Sequence, residues 1–348
     1  MKTYEIHKFS SNSTLEKHLS IQHLRALAAI FVILFHTETL HHGYGGVDLF
    51  FVISGFVMGK TGLIESPMNF MIKRIIRIVP LYWFVTIIMC VASLIPGLFR
   101  RFSFDTPSLI QSLLFIPHLN ADGKIWPLII SGWTLNYEMF FYVIFSICLI
   151  IKWRAWKISV VMIALAALGF FMSSIPSPVI QTYTSPLLLE FAAGLFLSGL
   201  PAPRNPLFLG VACFVIAIAL YPLLTFLVGA GEDTPWKRVL MLGIPSTAVV
   251  AGALWIEQAG LWPRLWVLEK IGDASYSLYL LHGIVIAFVH KVLHLPEIAQ
   301  IFIILFFSIS LSIISNILFE KPISRVLRSF LLRKRTFIQR PPSSNPSR

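Results

Sequence analysis

Long apolar runs separated by short polar loops dominate the chain. Each run is about 20 residues long, the length at which an α-helix crosses a hydrocarbon core of about 30 Å. The runs lie at 21–40, 46–64, 77–98, 131–152, 156–175, 183–200, 206–228, 239–258, 275–294 and 299–319. This pattern predicts an all-α, polytopic integral membrane protein with about ten transmembrane helices.

The composition agrees with a membrane protein. Hydrophobic residues make up 56% of the 348 residues and charged residues only 13%, whereas a soluble domain has about 25% charged residues. The N-terminal tail is polar and the first apolar run is full length, so no cleavable signal peptide is expected. Cys90, Cys148 and Cys213 lie in apolar segments without ligand spacing, which predicts small buried side chains and no metal site.

The positive charge is distributed unevenly along the predicted topology. With ten spans and a cytoplasmic N-terminus, both termini are cytoplasmic, and 21 Lys and Arg residues lie on that side against 6 on the other. This asymmetry follows the positive-inside rule. The predicted divisions are a polar tail at 1–19, a transmembrane domain at 20–322 and a basic cytoplasmic tail at 323–348. The basic tail suits anionic lipid headgroups, and we do not expect nucleic acid as a partner, because flanking charge on a polytopic protein needs no further cause.

Ionisable residues inside the apolar segments are the candidate functional residues, because such groups are costly in lipid. Arg25 and His36 are eleven positions apart on the first segment, so a helix places them on one face and about 16 Å apart along its axis. We expect this face to form one wall of a tunnel. His36, Asp48, Glu138 and Glu190 are all predicted to lie in the outer half of the membrane, although each could instead be a structural hydrogen-bonding residue.

Two further groups of residues have a functional and a structural interpretation. Lys73, Arg74 and Arg77 lie where the third segment begins, and they could anchor the helix at the positive face or bind phosphate through their cationic groups. Tyr276 and His282 lie on one side of the ninth helix, together with Tyr279 between them, and His282 could be either a core residue or a ligand contact.

Helix boundaries give two more predictions. Ser20 precedes the first apolar run and is expected to cap its helix. Pro322 follows the tenth apolar run and is expected to end its helix, because proline lacks the N–H that a helix interior needs.

Six ordered motifs resemble those of the acyltransferase-3 family. They are HLRALAAIFVILFH, GGVDLFFVISGFVM, KRIIRIVPLYW, SGWTLNYEMFFY, GDASYSLYLLH and FEKP, and they extend from about residue 20 to 322. Members of this family are polytopic membrane acyltransferases, mostly bacterial. One departure is that Lys73 stands where some members have an arginine, and lysine keeps the charge but loses the planar fork.

The resemblance implies a membrane O-acyltransferase of the exopolysaccharide-acetylating type. Such a protein would move an acyl group, normally acetyl, from cytoplasmic acyl-CoA to a hydroxyl of a surface polysaccharide or of its lipid-linked precursor, in the bacterial inner membrane. Acyl-CoA would be a co-substrate, with no resident cofactor, and the partners would be the acceptor and membrane lipids. A transporter or flippase for a glycan is the alternative class, since intramembrane charges suit it equally well.

The resemblance also implies roles for the candidate residues. His36 would be the general base on the acceptor hydroxyl, with Asp48 or Glu138 orienting its ring. Arg74 and Arg77, with Arg25 nearby, would bind the phosphates of CoA. The other candidates for contact with the acceptor or with CoA are Lys73, Glu190, Tyr276 and His282. Direct transfer and an acyl-histidine intermediate are both open at this point.

Overall fold

The structure is a computed structural model that describes residues 18–95, 104–229 and 234–336. Every regular element in these ranges is helical, which confirms the all-α prediction. The α-helices are α1 Leu19–His36, α2 Gly46–Thr61, α3 Pro67–Ser93, α4 Thr106–Leu113, α5 Trp133–Ile150, α6 Ala155–Phe171, α7 Pro178–Tyr183, α8 Leu188–Gly199, α9 Pro206–Val228, α10 Pro235–Arg238, α11 Ile244–Gln258, α12 Trp266–Asp273, α13 Ser275–Val292, α14 Glu297–Ser315 and α15 Lys321–Thr336. Short 3₁₀ turns occur at Gly43–Gly45, Gly62–Ile64 and Ile130–Gly132, and π-helical segments at Val239–Gly243 and Asn316–Glu320.

Eight helical segments of the described residues are long and apolar enough to cross a membrane. They are Leu19–His36, Gly43–Ile64, Pro67–Ser93, Ile130–Ile150, Pro206–Leu227, Pro235–Gln258, Ser275–Val292 and Glu297–Leu332. The other two predicted spans are shorter: α6 has 17 residues and α8 has 12. The segment predicted at 183–200 is divided because Pro186 lies in the turn between α7 and α8, and the residue before a proline is disfavoured in a helix.

Close contact between α2 and α8 depends on glycine. A Cβ atom on Gly55 would stand 2.1 Å from the carbonyl oxygen of Phe191, and one on Gly194 would stand 2.0 Å from that of Val52. Any side chain at either position would therefore force the two helices apart. Because of this close approach, the short helix α8 lies in the core, and it brings Glu190 against α2.

The start of α1 is fixed by an acidic residue from the end of α11. Glu257 accepts hydrogen bonds from the Leu19 N–H at 2.6 Å and from the Ser20 hydroxyl at 2.6 Å. Ser20 was expected to cap α1, but it lies inside the helix and donates to Glu257 instead. A carboxylate at this position also stabilises the positive end of the helix dipole.

The last transmembrane helix does not end at Pro322. The π-helical segment Asn316–Glu320 leads directly into α15, and Pro322 lies in the first turn of α15, where a missing N–H is tolerated. The prediction that this proline stops the helix is therefore wrong. The Ser277 hydroxyl donates to Glu320 at 2.8 Å, which ties the start of α13 to the same end of the bundle.

The two ends of the bundle differ in their ionisable residues. The basic end is the one at which α1 and α3 begin, and it carries cations that include Lys73, Lys152, Arg264 and Arg325. The histidine end is the opposite one, at which α1 ends with His36.

Candidate active site

A cavity, called here the central cavity, lies between α1, α2, α3, α5 and α13. Together with its opening to solvent it contains about 730 Å³ of empty space. Most of its wall is apolar, and its polar lining residues are Arg25, Ser54, Arg77, Thr134, Glu138, Tyr142, Ser275, Tyr276 and Tyr279. Four of the candidates from the sequence, Arg25, Arg77, Glu138 and Tyr276, therefore face the same cavity.

Two arginines form the cationic part of the central cavity. Both hydrogen bonds of Arg25 go to the Ser275 hydroxyl oxygen, at 3.2 Å from Nε and 2.9 Å from Nη2. Arg77 lies close enough to Arg25 to repel it electrostatically. In the described part of the chain neither arginine forms an ion pair with a carboxylate, so this part of the cavity favours an anionic ligand.

Hydroxyl groups surround the carboxylate in the cavity. Glu138 accepts hydrogen bonds from the Tyr142 hydroxyl and from the Ser54 hydroxyl. The Tyr276 hydroxyl donates to the carbonyl oxygen of Ile78 at 2.7 Å. These bonds hold polar atoms in fixed positions along an otherwise apolar wall.

Two histidine rings lie together at the histidine end. The His36 ring faces the His282 ring with centroids 5.0 Å apart. His36 Nδ1 lies 2.8 Å from the Val32 carbonyl oxygen, and His282 Nδ1 lies 2.6 Å from that of Tyr279. A carbonyl only accepts, so Nδ1 carries the proton in each neutral ring and Nε2 carries the lone pair.

The position of His36 differs from the prediction in two respects. It is the last residue of α1 and its side chain is exposed, whereas the apolar pattern placed it deep within a span that continued to residue 40. Neither Asp48 nor Glu138 contacts its ring; a backbone carbonyl and His282 do so instead. Tyr279 lines the central cavity and also holds His282, so α13 connects the histidine pair to the cavity wall.

Asp48 is the centre of a separate cluster, called here the Asp48 cluster, which also contains Arg238 and Glu190. Asp48 is fully buried and binds Arg238 through two hydrogen bonds, at 3.1 Å and 2.8 Å. The Arg238 guanidinium also lies over the rings of Tyr44 and Trp133, 5.4 Å and 5.5 Å from their centroids. A bidentate pair of this kind is strong and geometrically specific.

Glu190 completes this cluster on the other side. It is 1% exposed and lies beside Asp48, and neither of its carboxylate oxygens has a hydrogen-bond partner among the described residues. The four acidic and histidine residues predicted at one depth therefore do not form one group. Glu138 binds Ser54, which is six residues after Asp48 and so about 9 Å further along α2.

The predicted phosphate clamp on α3 is also arranged differently. Arg74 is buried, and its guanidinium lies over the rings of Phe70 and Tyr142 at 5.3 Å and 5.9 Å. The Lys73 ammonium forms an ion pair with Glu65 at 3.1 Å. Neither residue lines the central cavity, where Arg77 is joined by Arg25.

Arg238 was missed by the sequence reasoning. It lies next to a polar loop, so the sequence predicts an ordinary solvent-exposed cation there. The available signal was Asp48 itself, because a carboxylate buried in a membrane segment needs a cation and none precedes it on its own helix.

The acyltransferase-3 family model, described as an acyltransferase domain, matches residues 18–317. The chain belongs to the acyltransferase-3 family. It is 36% identical over 271 residues to the exopolysaccharide production protein ExoZ of Rhizobium meliloti, an alignment that covers 74% of this chain and 83% of ExoZ. No solved structure matches the chain.

Two other relatives are more distant. The protein named "Putative membrane-bound transacylase BcsY" of Komagataeibacter xylinus is 30% identical over 297 residues, covering 77% of this chain and 73% of BcsY. A Staphylococcus aureus protein named "Putative O-acetyltransferase" is 26% identical over 318 residues, and the alignment covers 77% of this chain but 50% of the longer relative. The resemblance seen in the motifs is thus confirmed: this acyltransferase-3 protein is an integral membrane protein of an acyl-transferring family.

Proposed function

We propose that this acyltransferase-3 protein transfers an acetyl group from acetyl-CoA to a hydroxyl of an exopolysaccharide or of its lipid-linked precursor. The proposal rests on helix α1, which presents Arg25 to the central cavity and His36 to the ring of His282. These two residues are about 16 Å apart along the helix, a length comparable with the pantetheine arm of CoA. The names of ExoZ and of the staphylococcal relative favour an exopolysaccharide acceptor and an acetyl group.

The donor enters from the basic end in this proposal. The positive-inside rule favours the cytoplasm for that end, so the protein would sit in the bacterial inner membrane with both termini and acetyl-CoA on the cytoplasmic side. Arg25 and Arg77 contact the CoA phosphates, which supply the negative charge that this part of the cavity lacks. Tyr276 and Glu138 line the same cavity, through which the arm would run.

The reaction takes place at the histidine end. His36 Nε2 accepts the proton of the acceptor hydroxyl as its oxygen attacks the thioester carbonyl carbon. The new C–O bond forms, the C–S bond breaks, and the CoA thiolate takes the proton back from the imidazolium. The Val32 carbonyl keeps Nδ1 protonated throughout, so Nε2 is the nitrogen that acts. An acyl-His36 intermediate would use the same nitrogen as nucleophile, and trapping acylated protein without acceptor would reveal it.

The test is acyl-group analysis of the host's surface polysaccharide after deletion of the gene and its restoration as wild type or His36→Ala. We expect O-acetyl groups to disappear while the glycan is retained, and only the wild-type gene to restore them. Loss of the glycan itself from the surface would identify a flippase instead. Full acetylation with His36→Ala in the membrane would remove His36 from the mechanism.

A further inference from the structure

A second open space, called here the tryptophan groove, lies at the basic end and is separate from the central cavity. It is bounded by the α2–α3 connection, the α5–α6 connection and the end of α8, and with its opening to solvent it contains about 1380 Å³ of empty space. Its floor is apolar and includes Leu149, Leu195 and Leu200, and Trp153 and Trp156 stand at its rim. Tryptophan is enriched where a membrane protein meets the headgroup region, because its ring is amphipathic.

The charge around the tryptophan groove is positive. Lys152 and Arg154 both line it, both are exposed, and neither forms an ion pair in the described part of the chain. The acidic residue in the lining is Glu65, which is already paired with Lys73 at 3.1 Å. The groove therefore presents uncompensated cations next to an apolar floor.

The backbone at the rim holds Lys152 in an unusual conformation. Its φ angle is +57°, in the left-handed region that normally favours glycine, and it follows the end of α5. The Lys152 N–H donates to the Leu149 carbonyl and the Trp153 N–H to that of Cys148, both at 3.0 Å. A lysine therefore stands at a position where glycine would be less strained.

We propose that the tryptophan groove binds one anionic phospholipid, with its phosphate at Lys152 and Arg154 and an acyl chain along the leucine floor. The pairing of cations with an apolar floor favours a lipid over a soluble phosphate compound, because a soluble compound would leave the floor exposed to water. The uncapped start of α6 at Ala155, which lines the groove, adds partial positive charge beside the same phosphate. The site is independent of the proposed acyl transfer.

Two variants test the groove in different ways. Lys152→Gly/Arg154→Gln removes the two charges, and glycine at 152 suits the local backbone, so the fold should be retained. Gly199→Phe places a ring in part of the groove without changing charge, because a Cβ at this lining glycine meets no atom within 4 Å. Arg264→Gln/Lys270→Gln is the matched control, since it removes two exposed cations at the same end that do not line the groove.

Binding to the full-length protein is measured by native mass spectrometry with phosphatidylglycerol and with phosphatidylcholine of the same chains. We expect the wild type and the control to bind phosphatidylglycerol more tightly than phosphatidylcholine. The Lys152/Arg154 variant should bind phosphatidylglycerol about 30-fold more weakly than the wild type does. Gly199→Phe should weaken the binding of both lipids.

Three outcomes would overturn the proposal. The first is equal binding of phosphatidylglycerol by the groove variants and the control. The second is saturation by glycerol phosphate at the affinity of the lipid, which would indicate a free phosphate site. The third is displacement of the bound lipid by CoA, which would assign the groove to the nucleotide of the donor.

Discussion

Two regions of this protein use buried charge in opposite ways. In the central cavity, Arg25 is bound by the hydroxyl of Ser275 and faces open space. In the Asp48 cluster, Arg238 is bound by both oxygens of a carboxylate that is itself fully buried. Arg25 can therefore still bind an anionic ligand, whereas Arg238 is already paired with Asp48.

The same distinction applies to the other ionisable groups. His36 is held by the Val32 carbonyl, which fixes its tautomer and leaves Nε2 with its lone pair. Asp48 is held by Arg238 in a strong bidentate contact. We infer that weakly partnered charges mark the chemistry of this protein and strongly partnered ones mark its scaffold.

The largest effect is expected at His36. His36→Gln should lower the rate of acetyl transfer by about 10²–10⁴-fold, the usual contribution of a general base. Stability should stay unchanged, because the side chain is exposed at the end of α1. The measurement is transfer from radiolabelled acetyl-CoA in vesicles, together with thermal unfolding in detergent. Substantial activity in this variant would show that the weakly partnered His36 does not take part in the chemistry.

A large effect of the opposite kind is expected at Asp48. Asp48→Ala leaves Arg238 without its bidentate partner, and loss of one member of a buried ion pair costs about 3–5 kcal/mol. The free energy of unfolding should fall by this amount, while the acetyl-transfer rate per folded molecule changes little. The control is Asp48→Leu/Arg238→Met, which removes both charges and should regain most of the stability. A folded Asp48→Ala protein that binds acetyl-CoA normally but transfers nothing would place Asp48 in the chemistry.

A smaller effect is expected at Arg77. Arg77→Gln should raise the dissociation constant of CoA by about 10- to 150-fold, because a charge-assisted hydrogen bond contributes about 1.5–3 kcal/mol. The matched control is Lys73→Gln, on the preceding turn of α3, which is paired with Glu65 and lies outside the cavity. Isothermal titration with CoA measures both. A loss of affinity as large in the lysine variant would restore the predicted clamp on α3.

Predictions from the sequence were correct where the residues concerned lie on one helix. Arg25 and His36 are joined by helical spacing, and the motifs around them identified the family. The predictions failed where partners come from distant parts of the chain. Asp48 and Arg238 are 190 positions apart, and hydrophobic periodicity records which face is buried but not what it meets.

Helix ends show the same limit. The apolar pattern extended the first span to residue 40, yet α1 ends at His36, because apolar residues such as Leu40 continue into the following turn. Glu257 replaced Ser20 at the start of α1, since a cap supplied by another helix leaves no local signature. The short helix α8 crosses the core only because Gly55 and Gly194 allow it to approach α2.

The smallest effect is expected at Ser275, and it tests the distinction most sharply. Ser275→Ala removes both hydrogen bonds of Arg25 while leaving its charge in the cavity. An ordinary hydrogen bond contributes about 1 kcal/mol, so KM for acetyl-CoA should rise by about fivefold with little change in kcat. Ser277→Ala is the control, two residues along α13, where the hydroxyl binds Glu320 instead. If Ser275 only orients Arg25 for ligand binding, high acetyl-CoA concentrations should restore the full rate. A kcat that stays low at saturating acetyl-CoA would mean that the position of Arg25 matters to the reaction itself.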